Sequence, residues 1–193
     1  MKKILISSVV MTLIASSVIA KDTMGLEFSI NSISFDSEKI KVDNPIEEQE
    51  KISAVNGALK FYALFDITGD ETWFVGPFLS ASVSKHNEED LNAYDKTTDY
   101  APIDFGLMGR YELSNTQNLK KIGFKFSGGI TQMKIGDRDS SGYNGELGAY
   151  FKITEHFNMG IQAGYRYLTY KKQFTEINPN VISGGIFLGY DVF

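Results

Sequence analysis

The sequence predicts an all-β protein, an eight-stranded antiparallel up-and-down transmembrane β-barrel with an N-terminal signal peptide. Three observations predict this fold. Apolar and polar residues alternate with a period of two, as in FNMGIQAGYRY at 157–167, so each strand has two unlike faces. The alternating segments are separated by gaps that are long and short in turn. After residue 20, no stretch approaches the roughly 20 apolar residues that a membrane helix needs.

The N-terminus has the features of an export signal. Lys2 and Lys3 form a short basic region, an uncharged apolar segment follows, and small residues end at Ala20. We therefore expect residues 1–20 to be a signal peptide for export through the Sec pathway, and residues 21–193 to form one outer-membrane β-barrel domain. A retained membrane anchor is the alternative, against which the serines and the short apolar core argue.

Composition excludes several classes of function. The net charge of −5 disfavours nucleic-acid binding, which needs a basic surface. The chain has no cysteine, so it has neither a disulfide framework nor a thiolate-bound metal. A closed, hydrogen-bonded barrel is one way for such an exported domain to be stable.

Eight segments alternate in polarity, and we predict strands at 24–34, 54–68, 72–84, 101–113, 122–135, 143–153, 157–170 and 181–193. Connections after odd-numbered strands are the longer ones, apart from a near-tie between the fourth and the fifth. An outer-membrane barrel predicts this alternation, because its periplasmic turns are short and its extracellular loops longer. Pro77 lies inside the third strand, where it predicts a bulge or a lost hydrogen bond.

The more apolar face of each strand is predicted to contact lipid. At the periplasmic end this face has an aromatic residue on each of six consecutive strands, which is typical of a membrane-interface girdle. The girdle residues are Phe65, Trp73, Tyr111, Phe124, Phe151 and Phe157.

The opposite face contains charges of both signs, and charges buried in a narrow lumen must pair. We predict that Arg166 pairs with a carboxylate on a neighbouring strand, such as Glu146. The candidates for lumen ion pairs are Glu27, Lys60, Asp104, Arg110, Lys125, Glu146 and Arg166, and Asp66, Glu112 and Lys152 share their face. Solvated charges on a soluble sheet are the alternative.

The chain ends in the aromatic-rich strand GGIFLGYDVF. With this strand, the signal peptide and the alternation, it resembles the OmpA/OmpX-type eight-stranded outer-membrane barrels, a porin-like outer-membrane protein β-barrel family. The resemblance implies that Tyr190 and Phe193 belong to an assembly signal read by the barrel-assembly machinery. Asp191 departs from the family pattern, which has an aromatic residue there. Without a bulge, Phe193 would face the lumen.

Catalytic and metal-binding patterns are weak. The two histidines, His86 and His156, lack the serine two residues on that is found in lipid A deacylases. The segment GDRDSSG (136–142) resembles the start of a calcium loop but has Gly148 where glutamate is required, so we interpret it as a polar turn. We expect no enzyme activity, no cofactor and no bound metal.

These observations predict a Gram-negative outer-membrane protein whose lumen is filled by side chains. We expect a structural or surface-interaction role, in envelope integrity or adhesion, through the acidic loops 36–53 and 85–101. Its partners would be outer-membrane lipid and lipopolysaccharide, the assembly machinery and a host or surface ligand. Alternatives are a small porin or channel, a soluble periplasmic lipid-binding barrel, and a lipid A-modifying barrel enzyme.

Overall fold

The computed structural model describes residues 23–36, 51–86, 101–113, 122–135, 138–172, 175–177 and 180–192. These residues form strands throughout, joined by short turns. The strands are β1 (Thr23–Asp36), β2 (Lys51–Asp66), β3 (Trp73–His86), β4 (Ile103–Leu113), β5 (Ile122–Ile135), β6 (Arg138–Lys152), β7 (Phe157–Lys172), β8 (Thr175–Ile177) and β9 (Asn180–Asp191). The predicted signal peptide lies outside the described residues.

The strands close into a barrel of eight. Each pairs antiparallel with its neighbour from β1 to β7, and β9 pairs with both β7 and β1. The short β8 continues the register of β9 along β7, since Tyr167 pairs with Asn180 and Tyr170 with Ile177. Pro179 lies between them in the sequence and has no N–H to donate. The predicted eight-stranded antiparallel barrel is therefore confirmed.

The register fixes the shape of the barrel. One circuit along paired residues starts at residue 25 and ends at residue 35, a shear of ten: Gly25, Tyr62, Phe78, Gly106, Gly129, Asn144, Arg166, Val181, Phe35. Such a shear tilts the strands, and at eight strands the interior is just wide enough for side chains to fill.

The two ends of the barrel differ. What we call the turn end carries residues 23 and 192 and the short turns 67–72 and 153–156, and the Val192 N–H donates to the Met24 carbonyl there. The loop end is opposite. Within the part of the chain that the structure describes, the tips of β5 and β6 at the loop end pair with each other alone, over Met133–Ile135 and Arg138–Ser140.

This hairpin corrects the sequence analysis. β6 begins at Arg138 instead of 143, so most of GDRDSSG is strand rather than turn, and the fifth connection is shorter than its neighbours. The polar composition of these residues hid the strand from the alternation of apolar and polar residues.

Pro77 interrupts the ladder without a bulge. The pairs Tyr62–Phe78 and Phe65–Val75 share one register, but the two positions between them are unpaired. Of the two sequence-based alternatives, the lost hydrogen bond is correct.

The faces of the wall are inverted relative to a soluble protein. Large apolar side chains such as Leu107, Leu147 and Ile161 are exposed on the outer face, whereas Arg110, Glu27 and other charged groups are buried inside. A soluble lipid carrier would need an apolar interior, so that alternative is wrong. Among the described residues there is no helix long and apolar enough to span a membrane.

Close approach of strands inside the barrel requires glycine at the pair Gly106–Gly129. A Cβ on Gly106 would lie inside van der Waals contact of the Gly128 carbonyl, and one on Gly129 would meet the Phe105 carbonyl. We expect Gly106→Ala to lower the free energy of unfolding by about 1–3 kcal/mol through overpacking. Urea unfolding of the protein in lipid vesicles measures this loss.

Gly57→Ala is the matched control, because a Cβ on Gly57 has no atom within 4 Å. We expect this substitution to be neutral or slightly stabilising. Equal losses at both glycines would contradict the close packing of β4 against β5.

Candidate functional site: the charged lumen

The structure places all seven lumen ion-pair candidates on the inner face, in three groups at different depths. Glu27, Lys60, Lys125 and Glu146 meet near the middle, Asp104 pairs with Arg166 towards the loop end, and Arg110 lies towards the turn end. The strands that supply partners in a pair are mostly not neighbours in the wall. The pairs therefore cross the lumen.

The middle group is a cluster of two cations and two anions from four strands. Lys125 Nζ lies 2.5 Å from Glu27 Oε1 and 3.3 Å from Glu146 Oε1, and it donates to Gln162 Oε1 at 2.7 Å. Lys60 Nζ lies 2.5 Å from Glu146 Oε1 and 3.7 Å from Glu27 Oε1. Each lysine thus contacts both carboxylates, which offsets the cost of burying them.

Arg166 pairs with Asp104, not with the predicted Glu146. Arg166 Nε donates to Asp104 Oδ1 at 3.2 Å, and Nη2 donates to Oδ2. Thr131 Oγ1 also donates to Asp104 Oδ1 at 2.7 Å. Glu146 lies on β6, next to Arg166 in the wall, but its carboxylate reaches across to Lys60. The prediction assumed pairing between adjacent strands.

A third group closes the turn end. Arg110 Nη1 donates to both Asp191 oxygens, at 2.9 and 3.1 Å, and Nη2 donates to the Tyr62 hydroxyl at 2.5 Å. Tyr62 in turn donates to Asp191 Oδ1 at 2.5 Å. The guanidinium lies 4.3 Å from the Tyr62 ring centroid and 5.4 Å from that of Tyr150. We call Arg110, Asp191, Tyr62 and Tyr150 the lower plug.

Asp191 is a charged lumen residue that sequence reasoning missed, and Asp66 was wrongly assigned to the lumen. Asp66 caps the turn after β2, where its carboxylate accepts from the N–H groups of Thr68, Gly69 and Glu71. Asp191 is 2% exposed and pairs with Arg110. The signal for Asp191 was its position opposite in parity to the apolar Tyr190 and Val192.

A small polar cavity lies between the middle cluster and the loop end. It has about 30 Å³ of space open to water, room for about two molecules. The cavity is lined by hydroxyl and amide groups, among them Asn31, Asn56 and Ser80. The ion pairs Asp104–Arg166 and Lys60–Glu146 also line it.

Above this cavity, at the loop end, the lumen becomes apolar. Five buried side chains from five strands pack together there, and we call them the apolar layer: Ile33, Ala54, Met133, Leu168 and Val181. Ser84 and Pro102 are also buried, on β3 and just before β4.

The six predicted girdle residues lie at the turn end. Trp73, Phe124, Phe151 and Phe157 are exposed on the outer face, and Phe65 and Tyr111 are half-buried. Trp73 pairs in register with Tyr111, with ring centroids 4.7 Å apart, and Tyr111 pairs with Phe124.

The last strand joins this end of the barrel. Tyr190 is exposed and contacts Phe157, with centroids 4.9 Å apart. His156 contacts Asp191, the residue after Tyr190. The His156 carbonyl accepts a hydrogen bond from the Asp191 N–H at 2.7 Å, and His156 Nδ1 lies 2.9 Å from the Asp191 carbonyl oxygen. β9 has no bulge in its register with β1. Phe193 lies outside the described residues.

The structure adds little support for the histidines as catalytic residues or for a calcium site at 136–142. His86 ends β3, and its side chain lies outside the described part, as does Asp137. No group of three or more acidic or histidine residues among the described side chains could hold a metal ion. Hydrogen bonds from Thr68 and Thr72 hold the pKa of the Asp70 carboxyl below its usual value, which fits its place in a polar turn.

Reversing the charge of Arg166 tests the lumen assignment. Arg166→Glu would place two carboxylates side by side at Asp104, and we expect it to lower the unfolding free energy by about 2–3 kcal/mol. Lys171→Glu, five residues further along β7, is the control and should have a smaller effect. Equal tolerance at both positions, by urea unfolding in vesicles, would contradict a lumen location for Arg166.

Three solved structures that are similar to this chain are outer-membrane proteins. The crystal structure of the outer membrane protein OprG from Pseudomonas aeruginosa is 15% identical, with a TM-score of 0.47, over 89% of this chain and 96% of that one. Neisserial surface protein A is 14% identical, with a TM-score of 0.45, over 85% and 95%. The outer membrane enzyme PagL is 12% identical, with a TM-score of 0.49, over 84% and 98%.

A search of curated protein sequences finds no match to this chain. The sequence profile of one family does match, over residues 6–190, which is nearly the whole chain. That family is described as the outer membrane protein beta-barrel domain. The chain belongs to this outer-membrane β-barrel family.

Proposed function

We propose that this outer-membrane barrel has a structural or surface-interaction role, that its lumen does not conduct, and that it is not an enzyme. The observation that supports this most is the filled lumen. Three groups of crossing ion pairs and an apolar layer leave a cavity of about 30 Å³. A barrel without a path through it acts through its surfaces.

The loop end supplies the interacting surface in this proposal. Residues 36–53 and 85–101 are acidic, each with a net charge of −3 from the sequence, and lie largely outside the described residues. Acidic loops attract divalent cations, which lipopolysaccharide also binds, or a basic partner. The loop end would face the cell exterior and the turn end the periplasm, after export through the Sec pathway.

Biogenesis is part of the same proposal. The exposed Tyr190 on the last strand, with Phe193 beyond the described residues, would be read by the barrel-assembly machinery. Outer-membrane lipid would cover the apolar outer face, with the aromatic girdle at the periplasmic interface.

Two measurements test the proposal. Purified barrel in planar bilayers should give no single-channel conductance, and a stable conductance would favour the small-porin alternative. In cells lacking the gene, we expect increased detergent sensitivity or reduced adhesion, restored by the full chain. A variant with the acidic residues of both loops changed to Asn and Gln tests whether the loops are needed. A changed lipid A profile in the deletion strain would contradict the absence of enzyme activity.

A further inference from the structure

The apolar layer has no role in holding the ion pairs, yet it is among the best-buried parts of the lumen. Leu168, Ile33 and Val181 are at most 1% exposed. They come from β7, β1 and β9, and Ala54 and Met133 from β2 and β5 complete the contact across the axis. The layer therefore spans the lumen and does not line one side of it.

Its position relative to the polar groups is the second observation. Arg166 precedes Leu168 by one inward-facing position on β7, and Asn31 precedes Ile33 in the same way on β1. The polar cavity thus lies directly beneath the layer. The middle cluster and the lower plug lie on its other side, towards the turn end.

We propose that the apolar layer, and not the charged network, keeps external water and ions out of the lumen. The polar cavity is then a closed compartment beneath a hydrophobic seal. An apolar constriction excludes water and ions because wetting it gains no hydrogen bonds, and one polar group in it favours wetting. The ion pairs beneath are hydrophilic and would admit water if the seal were absent.

The absence of cysteine makes this seal measurable, since one introduced thiol is the only reactive one. Ser80 is 2% exposed and lines the cavity, so Ser80→Cys is a near-isosteric reporter beneath the layer. Glu155→Cys in an exposed turn reports the free reaction rate. The probe is the small cationic reagent aminoethyl methanethiosulfonate, applied to folded protein in detergent, with intact-mass detection after unfolding.

We expect the thiol at position 80 to react at least about a hundredfold more slowly than the one at 155, because reaction requires local opening. Adding Leu168→Asn, which has the same branched arrangement of heavy atoms but is polar, should accelerate the reaction at least about tenfold by wetting the layer. Leu168→Met, which stays apolar, should leave the rate unchanged. Val181→Thr is a second polar, near-isosteric variant in case Leu168→Asn does not fold.

Tyr62→Phe tests whether water reaches position 80 from the turn end, because the substitution removes a hydroxyl from the lower plug and leaves the apolar layer intact. Acceleration by Tyr62→Phe and not by the polar layer variants would overturn the proposal, since water would then come from the turn end. Equal rates at positions 80 and 155 would overturn it as well. All rates are compared in variants that keep the faster gel migration of unboiled, folded barrel.

This inference rests on the closed lumen of the proposed function, but the two can fail separately. Conductance in bilayers would overturn the closed lumen itself. Fast reaction of the thiol at position 80 without conductance would overturn only the seal, because the lower plug would then be the sole barrier.

Discussion

Replacing Asp191 with alanine is expected to lower the free energy of unfolding by about 3–5 kcal/mol, because the substitution leaves the Arg110 guanidinium buried without its carboxylate. Arg110 is 1% exposed and donates to both oxygens of Asp191, at 2.9 and 3.1 Å. The Tyr62 hydroxyl would lose its acceptor at the same time. Urea unfolding in lipid vesicles measures the loss, and gel migration without boiling shows whether the barrel still closes.

The control is Glu155→Ala, which removes a carboxylate from an exposed turn at the same end of the barrel and should change the free energy by less than about 0.5 kcal/mol. The double variant Arg110→Met/Asp191→Leu replaces both charged side chains with apolar ones, and we expect it to recover most of the loss. A double variant as unstable as Asp191→Ala would contradict the explanation by an uncompensated charge. The cost would then come from packing in the lower plug.

Asp191 also shows what could be predicted from sequence. Alternation gives both the strand and the face of each residue, since side chains point to opposite sides at successive positions. The parity of Tyr190 and Val192 therefore places Asp191 inside, although the pattern of the family that the sequence resembles has an aromatic residue at this position. The departure has a physical reason, because the carboxylate is the partner of Arg110.

Partners across the lumen could not be predicted in this way. Which residues meet depends on the shear of the barrel and on depth, and neither follows from local alternation. Arg166 on β7 reaches Asp104 on β4, and Lys60 on β2 reaches Glu146 on β6. The apolar layer was missed for a related reason. Its residues are scattered over five strands at one depth, so no segment of sequence shows them together.

The second large loss of stability is expected in the middle cluster, where the same substitution should affect two lysines of similar burial differently. Lys125→Met is expected to lower the free energy of unfolding by about 3–5 kcal/mol, because Glu27 would keep only Lys60, at 3.7 Å. Within the described part of the chain, Glu27 Oε2 has no hydrogen-bond partner, so its carboxylate depends on contacts through Oε1. Lys125 also lies 3.4 Å from the Phe187 ring centroid, a contact that methionine keeps only as packing.

Lys60→Met is the matched control, with the same substitution in the same cluster. It leaves Lys125 between both carboxylates, at 2.5 Å from Glu27 and 3.3 Å from Glu146, so we expect a smaller loss. The coupling between Glu27→Leu and Lys125→Met, measured by a double-mutant cycle, should exceed about 1.5 kcal/mol, since both remove one interaction. Equal losses for the two lysines, with no coupling to Glu27, would mean that the lumen needs only a neutral net charge. The specific distances would then contribute little, and any arrangement of two cations near two anions would hold the barrel equally well.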